Sequence, residues 1–193
     1  MKIGIDLDGV VIDSVRLFNV YEEIYDIDVL NGNNLINKQQ VDFQDKYNWT
    51  EKQKKVFIEK YFLKVAKENK LMPGFKEVYN LLKQEGHQFI VITARGNPVK
   101  ELKDESLKLF KENNIEFDKY YWGVTDKSEI CKKENIELII EDNYNWIKKL
   151  VEDKFKILYF RDVNMTKVKE SEYLTEVNNW GDIYRYFNKI KNK

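Results

Sequence analysis

The 193-residue sequence has little cysteine, no excess of charge and no long hydrophobic run. Its one cysteine, Cys131, excludes an internal disulfide and a thiolate cluster that would hold zinc or an iron–sulfur centre. Basic and acidic residues number 33 each, so no overall field favours a nucleic acid polymer or an anionic membrane surface. No apolar segment approaches the ~20 residues that cross a bilayer, and the N-terminus has no signal-peptide pattern. We therefore expect a cytoplasmic protein.

Short apolar runs alternate with helix-like segments along most of the chain. Five runs are typical of strands: "KIGIDLD", "QFIVITA", "FDKYYWG", "IELIIED" and "FKILYFRD". This alternation is typical of a parallel sheet covered by helices on both faces. We therefore predict an α/β, Rossmann-like fold with a parallel five-stranded sheet.

The helices between these runs are indicated by their boundary residues. Pro73 precedes the amphipathic segment "GFKEVYNLLKQEG", and Asn97 with Pro98 fits the cap and first turn of a second helix. Further helices are predicted near 127–134, 143–152 and 181–191.

Residues 14–72 interrupt the alternation, because they contain no convincing strand. We predict that they form a helical cap subdomain inserted into a core made of residues 1–13 and 73–193. Within the insert, "TEKQ" at 50–53 fits a capping box at a helix start. Its aromatic residues Phe43, Tyr47 and Trp49 could pack in the core of the insert or stack on a nucleobase.

Two carboxylates follow the first predicted strand. Side chains alternate along a strand, so Asp6 and Asp8 project to the same side, and Gly9 permits a tight turn directly after them. Ligands of open α/β sheets bind at the carboxyl ends of the strands, which favours a site here. The alternative is that these acids cap a helix beginning near residue 10.

Other predicted strand ends also have polar residues. Thr93 ends the second run, Glu141 and Asp142 end the fourth, and Lys127 precedes the helix that leads to the fourth run. Taken alone, Thr93 could bond its own backbone and Lys127 could be a solvated surface lysine. Together with Asp6 and Asp8, they indicate one site at one edge of the sheet.

Four ordered motifs, "DLDGV", "ITAR", Lys127 and "ED", resemble those of the haloacid dehalogenase (HAD) superfamily of phosphatases. The segments "LMPGFKEVYNLL", "KSEIC" and "NNWGDIYRYF" more narrowly resemble cytosolic type-C 5'(3')-deoxyribonucleotidases and their bacterial nucleotidase relatives. The resemblance covers essentially the whole chain. It implies strand order 3-2-1-4-5, with residues 14–72 in the place of a small helical cap.

The resemblance also implies roles for the site residues. Mg²⁺ would be held by the carboxylates of Asp6 and Asp142 and the backbone carbonyl of Asp8, with Glu141 behind them orienting waters or pairing with Lys127. Asp6 would attack phosphorus to form an aspartyl-phosphate, and Asp8 would transfer protons. Thr93, Lys127 and the exposed N–H groups after Asp8 and Thr93 would contact the phosphoryl oxygens. The expected substrate-binding residues are Gly9, Ala94, Arg95 and Trp49.

The expected function is therefore that of a Mg²⁺-dependent phosphomonoesterase, a 5'-nucleotidase acting on (deoxy)nucleoside monophosphates. The alternatives are a phosphatase of sugar phosphates or other small metabolites, a phosphotransferase, and a noncatalytic nucleotide-binding module. Arg95 would either hold a second anionic group of the substrate or pair with a nearby carboxylate. The sequence does not determine the oligomeric state, including whether the chain forms a homodimer.

Overall fold

The computed structural model describes residues 1–164 and 166–192. Its centre is one sheet of six parallel strands in the order β3-β2-β1-β4-β5-β6. The strands are β1 (Lys2–Ile5), β2 (Gln88–Ile92), β3 (Lys119–Tyr121), β4 (Leu138–Glu141), β5 (Ile157–Phe160) and β6 (Leu174–Val177). The predicted α/β class and the order 3-2-1-4-5 are confirmed, and a sixth strand extends the predicted five.

The helices lie between the strands and before β2. They are α1 (Ser14–Ile24), α2 (Phe43–Lys46), α3 (Glu51–Glu68), α4 (Phe75–Gln84), α5 (Glu101–Glu112), α6 (Lys127–Glu134), α7 (Tyr144–Glu152) and α8 (Trp180–Lys191). A π-helical segment, Tyr25–Val29, continues from α1. No helix within the described ranges combines the length and apolar character needed to cross a membrane.

Both faces of the sheet are covered, which explains the near-continuous apolar strands. Along β2, Phe89 and Val91 belong to one hydrophobic cluster, whereas Ile90 and Ile92 belong to another. The first cluster includes buried residues of α4 and α8, and the second includes buried residues of α6 and α7. Strands β2, β4 and β5 therefore contribute alternate side chains to two cores, as expected for a buried parallel sheet.

The second predicted helix begins later than its sequence indicates. The structure places Lys100 at the N-cap of α5, so the prediction of Asn97 as cap and Pro98 as first turn is wrong. The chain makes turns and bends between 94 and 98, with Gly96 at a φ of 95°. Asn97 and Pro98 instead line the cleft described below.

Residues 14–72 contain α1, the π-helical segment, α2 and α3, and no strand longer than an isolated bridge. The capping box is confirmed, because the Thr50 side chain accepts from the Gln53 N–H while Gln53 accepts from the Thr50 N–H. Six aromatic residues form their own buried cluster, consisting of Tyr25, Phe43, Tyr47, Trp49, Phe57 and Tyr61. The division into a core and a separate cap subdomain stays a prediction.

Helix α8 contacts the loop that follows β1. The Trp180 side chain is fully buried, and its indole Nε1 donates a hydrogen bond of 2.9 Å to the backbone carbonyl of Val10. Its ring also packs edge-on against Phe75 at 4.9 Å between centroids. The position of the loop after β1 therefore depends on a helix about 170 residues away.

Candidate active site

The loop after β1 is a tight turn. The Leu7 carbonyl accepts from the backbone N–H groups of residues 10, 11 and 12, and the N–H of Gly9 donates to the Ile12 carbonyl. Gly9 has a φ of +72°, and a Cβ placed on it would lie 2.1 Å from Asp142 Oδ2. Only glycine fits here without displacing its neighbours. The turn therefore brings the backbone after Asp8 into contact with a carboxylate from the end of β4.

Three buried carboxylates cluster beside this turn, and two of them bind one lysine. Asp6, Glu141 and Asp142 each offer an oxygen atom within 4.8 Å of the others. Lys127 Nζ donates to Asp6 Oδ1 at 2.7 Å and to Glu141 Oε2 at 2.5 Å. Asp126, the N-cap of α6, immediately precedes Lys127 and fixes the start of the helix that presents it. The ends of β1 and β4 and the start of α6 thus bring these ionisable groups into a single cluster.

The cluster has more negative than positive charge. Burial raises the pKa of Asp6 to about 7, with Lys127 opposing the rise and Glu141 adding to it. Burial, together with Glu141 and Asp6, raises the pKa of Asp142 well above its usual value. Burial disfavours the Lys127 ammonium, but Asp6 and Glu141 outweigh it and raise the lysine pKa. Three carboxylates facing one ammonium leave two negative charges to balance when all are ionised.

The donor set fits a hard divalent cation. Both oxygens of Glu141 are engaged, because Oε1 accepts from the Asn143 N–H and Oε2 from Lys127. Within residues 1–164 and 166–192, no group donates a hydrogen bond to the Asp142 carboxylate, although Asp142 is buried. Carboxylate oxygens are the ligands that Mg²⁺ prefers. The carboxylates of Asp142 and Asp6 are therefore the side-chain groups placed to hold a cation.

Lys127 is not the solvated surface lysine that its type alone would suggest, whereas Thr93 makes the local backbone hydrogen bond that its sequence left open. Lys127 is 1% exposed, and its ammonium lies 5.6 Å from the centre of the Trp146 ring. Thr93 is buried at the end of β2, where its hydroxyl oxygen accepts from the Arg95 N–H at 3.1 Å. That bond leaves the hydroxyl hydrogen available to a ligand. Thr93, Lys127 and Asp6 all line the same cleft.

Only one of the two predicted backbone donors is available. The N–H of Gly9 is bonded to Ile12, so its prediction as an exposed donor is wrong, and the turn geometry is the reason. Among the described residues, no acceptor takes the N–H of Ala94, which lies next to Thr93 in the cleft. Ala94 therefore keeps its predicted place as a potential phosphoryl contact.

Asp8 is paired with Arg95. Arg95 Nε donates to Asp8 Oδ2 at 3.0 Å, Nη2 donates to Oδ1 at 2.7 Å, and Ser14 Oγ donates to Oδ1 at 2.6 Å. Burial favours a raised pKa at Asp8, but Arg95 and Ser14 outweigh it, and the pKa lies below its usual value. Of the two alternatives that the sequence left open for Arg95, pairing with a nearby carboxylate is the one observed in this structure.

The cleft extends from the carboxylates to residues of the insert and has a volume of about 300 Å³. Its far walls are mostly apolar and include Val15, Phe18, Val41, Phe43, Ile58, Phe62, Pro98 and Leu102. Trp49 does not line it. Trp49 is 4% exposed within the aromatic cluster, stacks on Tyr47 at 4.4 Å and donates from Nε1 to Asp26.

Comparisons with known proteins agree with this arrangement. No protein-family model matches the chain. A nucleotidase from Clostridium acetobutylicum is 28% identical over 138 residues, which are 71% of this chain and 69% of that protein. A haloacid dehalogenase-like hydrolase from Streptococcus pneumoniae superposes with a TM-score of 0.71 at 14% identity, covering 96% of this chain and 97% of that one. The chain has the haloacid dehalogenase fold. A predicted phosphatase from Clostridium acetobutylicum gives a TM-score of 0.66 at 16% identity, covering 97% and 98%.

Within this haloacid dehalogenase fold, several residues that were not predicted from the sequence contact the site. Ser14 bonds Asp8, Trp146 lies beside Lys127, and Phe18 and Phe62 contact each other edge-on in the cleft wall. Asn164 donates from its amide to the backbone carbonyl of Asp142 at 2.7 Å. Ser14 begins the first helix after the acids, and this position was the one signal that could have identified it.

Proposed function

We propose that the protein is a Mg²⁺-dependent phosphomonoesterase that hydrolyses (deoxy)nucleoside monophosphates through an aspartyl-phosphate on Asp6. The observation that carries this proposal is the buried cluster of Asp6, Glu141 and Asp142 around Lys127, with Asp8 beside it. The phosphatases and the nucleotidase among the similar proteins support the reaction class.

The first half of the reaction forms the intermediate. Mg²⁺ would be held by the carboxylates of Asp6 and Asp142 and the backbone carbonyl of Asp8. Its positive charge would reduce the repulsion between the substrate phosphate and the protein carboxylates. Asp6 Oδ1 bonds Lys127, which leaves Oδ2 to attack phosphorus. A bond forms between Asp6 and phosphorus, and the ester P–O bond breaks. The leaving alkoxide takes a proton from Asp8.

The second half regenerates the enzyme. Asp8, now ionised, takes a proton from a water molecule whose oxygen attacks phosphorus, and the bond from phosphorus to Asp6 breaks to release inorganic phosphate. Asp8 is ionised in its pair with Arg95, so it must gain a proton before the first step. A phosphate dianion entering beside Asp8 would raise its pKa by like-charge repulsion. Asp8 thus alternates between acid and base.

Thr93 and Lys127 would stabilise the charge that develops on the phosphoryl oxygens. The Thr93 hydroxyl hydrogen and the Ala94 N–H both lie at the cleft, and Lys127 contacts the nucleophile itself. Donors fixed before the reaction stabilise a transition state without a cost of reorganisation. The burial of these groups strengthens each contact, because less water screens it.

The proposal of a nucleotide substrate rests on two observations. The curated relative from Clostridium acetobutylicum is a nucleotidase. The far walls of the cleft are mostly apolar and include Phe18 and Phe62, which suit a flat nucleoside better than a small polyol. A noncatalytic binding module is disfavoured, because binding alone has no use for the proton carrier Asp8.

A panel of monophosphate esters with Mg²⁺ tests the proposal. We expect phosphate release from nucleoside monophosphates, loss of turnover in Asp6→Asn with an unchanged circular dichroism spectrum, and a severe decrease in Asp8→Asn. Asp104→Asn, an exposed carboxylate on α5, is the matched control and should keep the parent rate. Turnover of sugar phosphates but not of nucleotides would reject the substrate class. Phosphate release by Asp6→Asn at the parent rate would reject the mechanism.

A further inference from the structure

Arg95 has hydrogen-bond partners for every nitrogen of its guanidinium group. Besides the two bonds to Asp8, Nη1 donates to Ser106 Oγ at 3.0 Å. With the Asn69 amide oriented so that its nitrogen faces the Val65 carbonyl, its oxygen accepts from Nη2 at 3.0 Å. The Arg95 side chain is 2% exposed. Four of the five guanidinium N–H groups are therefore bonded within the protein, and two of them are used by the Asp8 carboxylate.

The partners of Arg95 are themselves fixed to helices. Ser106 Oγ donates to the Leu102 carbonyl at 2.7 Å, one turn earlier in α5. Asn69 is the C-cap residue of α3. The guanidinium group therefore joins the end of β2 to α5 and to the end of α3, and its planar fork holds both oxygens of Asp8. A bidentate pair of this kind fixes orientation as well as charge.

We propose that Arg95 is a positioning residue that orients the Asp8 carboxyl for proton transfer, with Ser106 and Asn69 holding the guanidinium in place. This inference rests on the role proposed for Asp8. It assigns Arg95 to the protein carboxylate and not to a second anionic group of the substrate. General acid–base catalysis is worth roughly 10²- to 10⁴-fold in rate, and small errors of placement can remove much of it.

The dependence on the leaving group separates this role from a merely structural one. A nucleoside 5'-phosphate releases an alkoxide that needs a proton, whereas p-nitrophenyl phosphate releases a stable phenolate that does not. We expect Arg95→Gln to lower kcat for the nucleotide by roughly 10- to 100-fold, with KM changed little. For p-nitrophenyl phosphate we expect kcat/KM, which reports only the steps up to release of the phenolate, to fall by less than about threefold, because leaving-group protonation contributes little there. Its kcat can fall further, because Asp8 also serves as the base that hydrolyses the aspartyl-phosphate formed from both esters.

Three further variants sharpen the test. Arg95→Lys keeps the charge with a single donor group and should recover part of the lost kcat. Ser106→Ala removes a bond to Arg95 without contacting Asp8, so it should show a smaller loss with the same preference for the nucleotide. Arg16→Gln is the matched control, because Arg16 pairs with the carboxylates Asp13 and Asp162 and is about 43% exposed. It should keep parent kinetics with both esters.

The decisive comparison combines Arg95 with Asp8. In an Asp8→Asn background, Arg95→Gln should change kcat by less than about twofold, because the group that Arg95 orients is already disabled. Equal losses of kcat/KM for the two esters, a full loss in the Asp8→Asn background, or a rise in KM confined to the nucleotide would overturn the inference. If Arg95→Gln fails to fold, Ser106→Ala and Arg95→Lys give the same comparison. A parent protein that hydrolyses neither ester would instead refute the proposed function.

Discussion

Replacing Gly9 with alanine tests how closely the turn after β1 approaches the Asp142 carboxylate. The new Cβ would lie 2.1 Å from Asp142 Oδ2 and 3.0 Å from Val15 Cγ2. A φ of +72° costs an L-residue about 1–2 kcal/mol, and the forced displacement of packed neighbours adds about 1–3 kcal/mol. The expected loss of unfolding free energy is therefore about 2–5 kcal/mol. For a chain of this length it corresponds to a decrease in Tm of roughly 4 to 20 °C.

Gly32→Ala provides the control for backbone strain. Gly32 has a φ of +71°, and nothing lies within 4 Å of a Cβ placed on it. Its substitution should therefore cost only the conformational part, about 1–2 kcal/mol or roughly 2 to 8 °C in Tm. The difference between the two variants measures the steric conflict at Gly9. Thermal unfolding followed by circular dichroism gives both values.

Removing the Asp142 carboxylate should relieve most of that conflict. In an Asp142→Ala background the atoms nearest the new Cβ are absent, so the cost of Gly9→Ala should approach that of Gly32→Ala. If Gly9→Ala is no more destabilising than Gly32→Ala in the parent protein, the contact between the turn and Asp142 is not as described. The proposed cation site would then lose its geometric basis.

Three other predictions concern pH, the aromatic cluster and metal binding. Burial raises the pKa of Glu22 from 4.5 to about 7 although Lys46 opposes it, so the folded state retains a proton that the unfolded chain loses. The unfolding free energy should therefore fall as pH rises from about 4.5 to about 7. The urea midpoint of Glu22→Gln should fall less over this range than that of the parent protein, and identical pH profiles of the two proteins would contradict the prediction. Trp49→Phe removes the bond to Asp26 and should lower the unfolding free energy by about 1–3 kcal/mol in urea titrations; a raised KM for nucleotides would instead assign Trp49 to substrate binding. EDTA should abolish phosphate release. Mg²⁺ at about 100 times its Kd should stabilise the parent protein by about 2.7 kcal/mol and should not stabilise Asp142→Ala. Equal shifts of Tm in the two proteins would contradict the assigned ligands.

The parts of the fold that could be predicted from sequence are those with a strong periodic signal. The runs at β1, β2, β4 and β5 are apolar at nearly every position because both faces of the sheet are covered. Strand β6 was not predicted, because it is an edge strand in which Thr175 and Glu176 are exposed and Val177 alone is buried. An edge strand contributes little apolar surface, and its sequence resembles a loop.

The candidate site, like the fold, could be predicted from the sequence only in part. Asp6, Lys127 and Asp142 could be expected to converge, because the carboxyl ends of parallel strands meet at one edge of a sheet. The pairing of Asp8 with Arg95 depends on rotamers and on residues 87 positions apart, which no local pattern encodes. Trp49 could not be assigned, because an aromatic side chain that packs in a core has the same sequence signal as one that stacks on a ligand.

The hydrogen bond from Trp180 to Val10 has a consequence for biosynthesis. Ribosomes make Asp6, Asp8 and Asp142 before Trp180. The turn that follows β1 is nevertheless held by the indole of Trp180, which bonds the Val10 carbonyl and packs against Phe75 of α4. A nascent chain that has emerged only as far as β5 lacks this contact. We therefore expect phosphate-ester hydrolysis to appear only after α8 has left the exit tunnel and docked, so that synthesis of the chain precedes activity by the time that this docking takes.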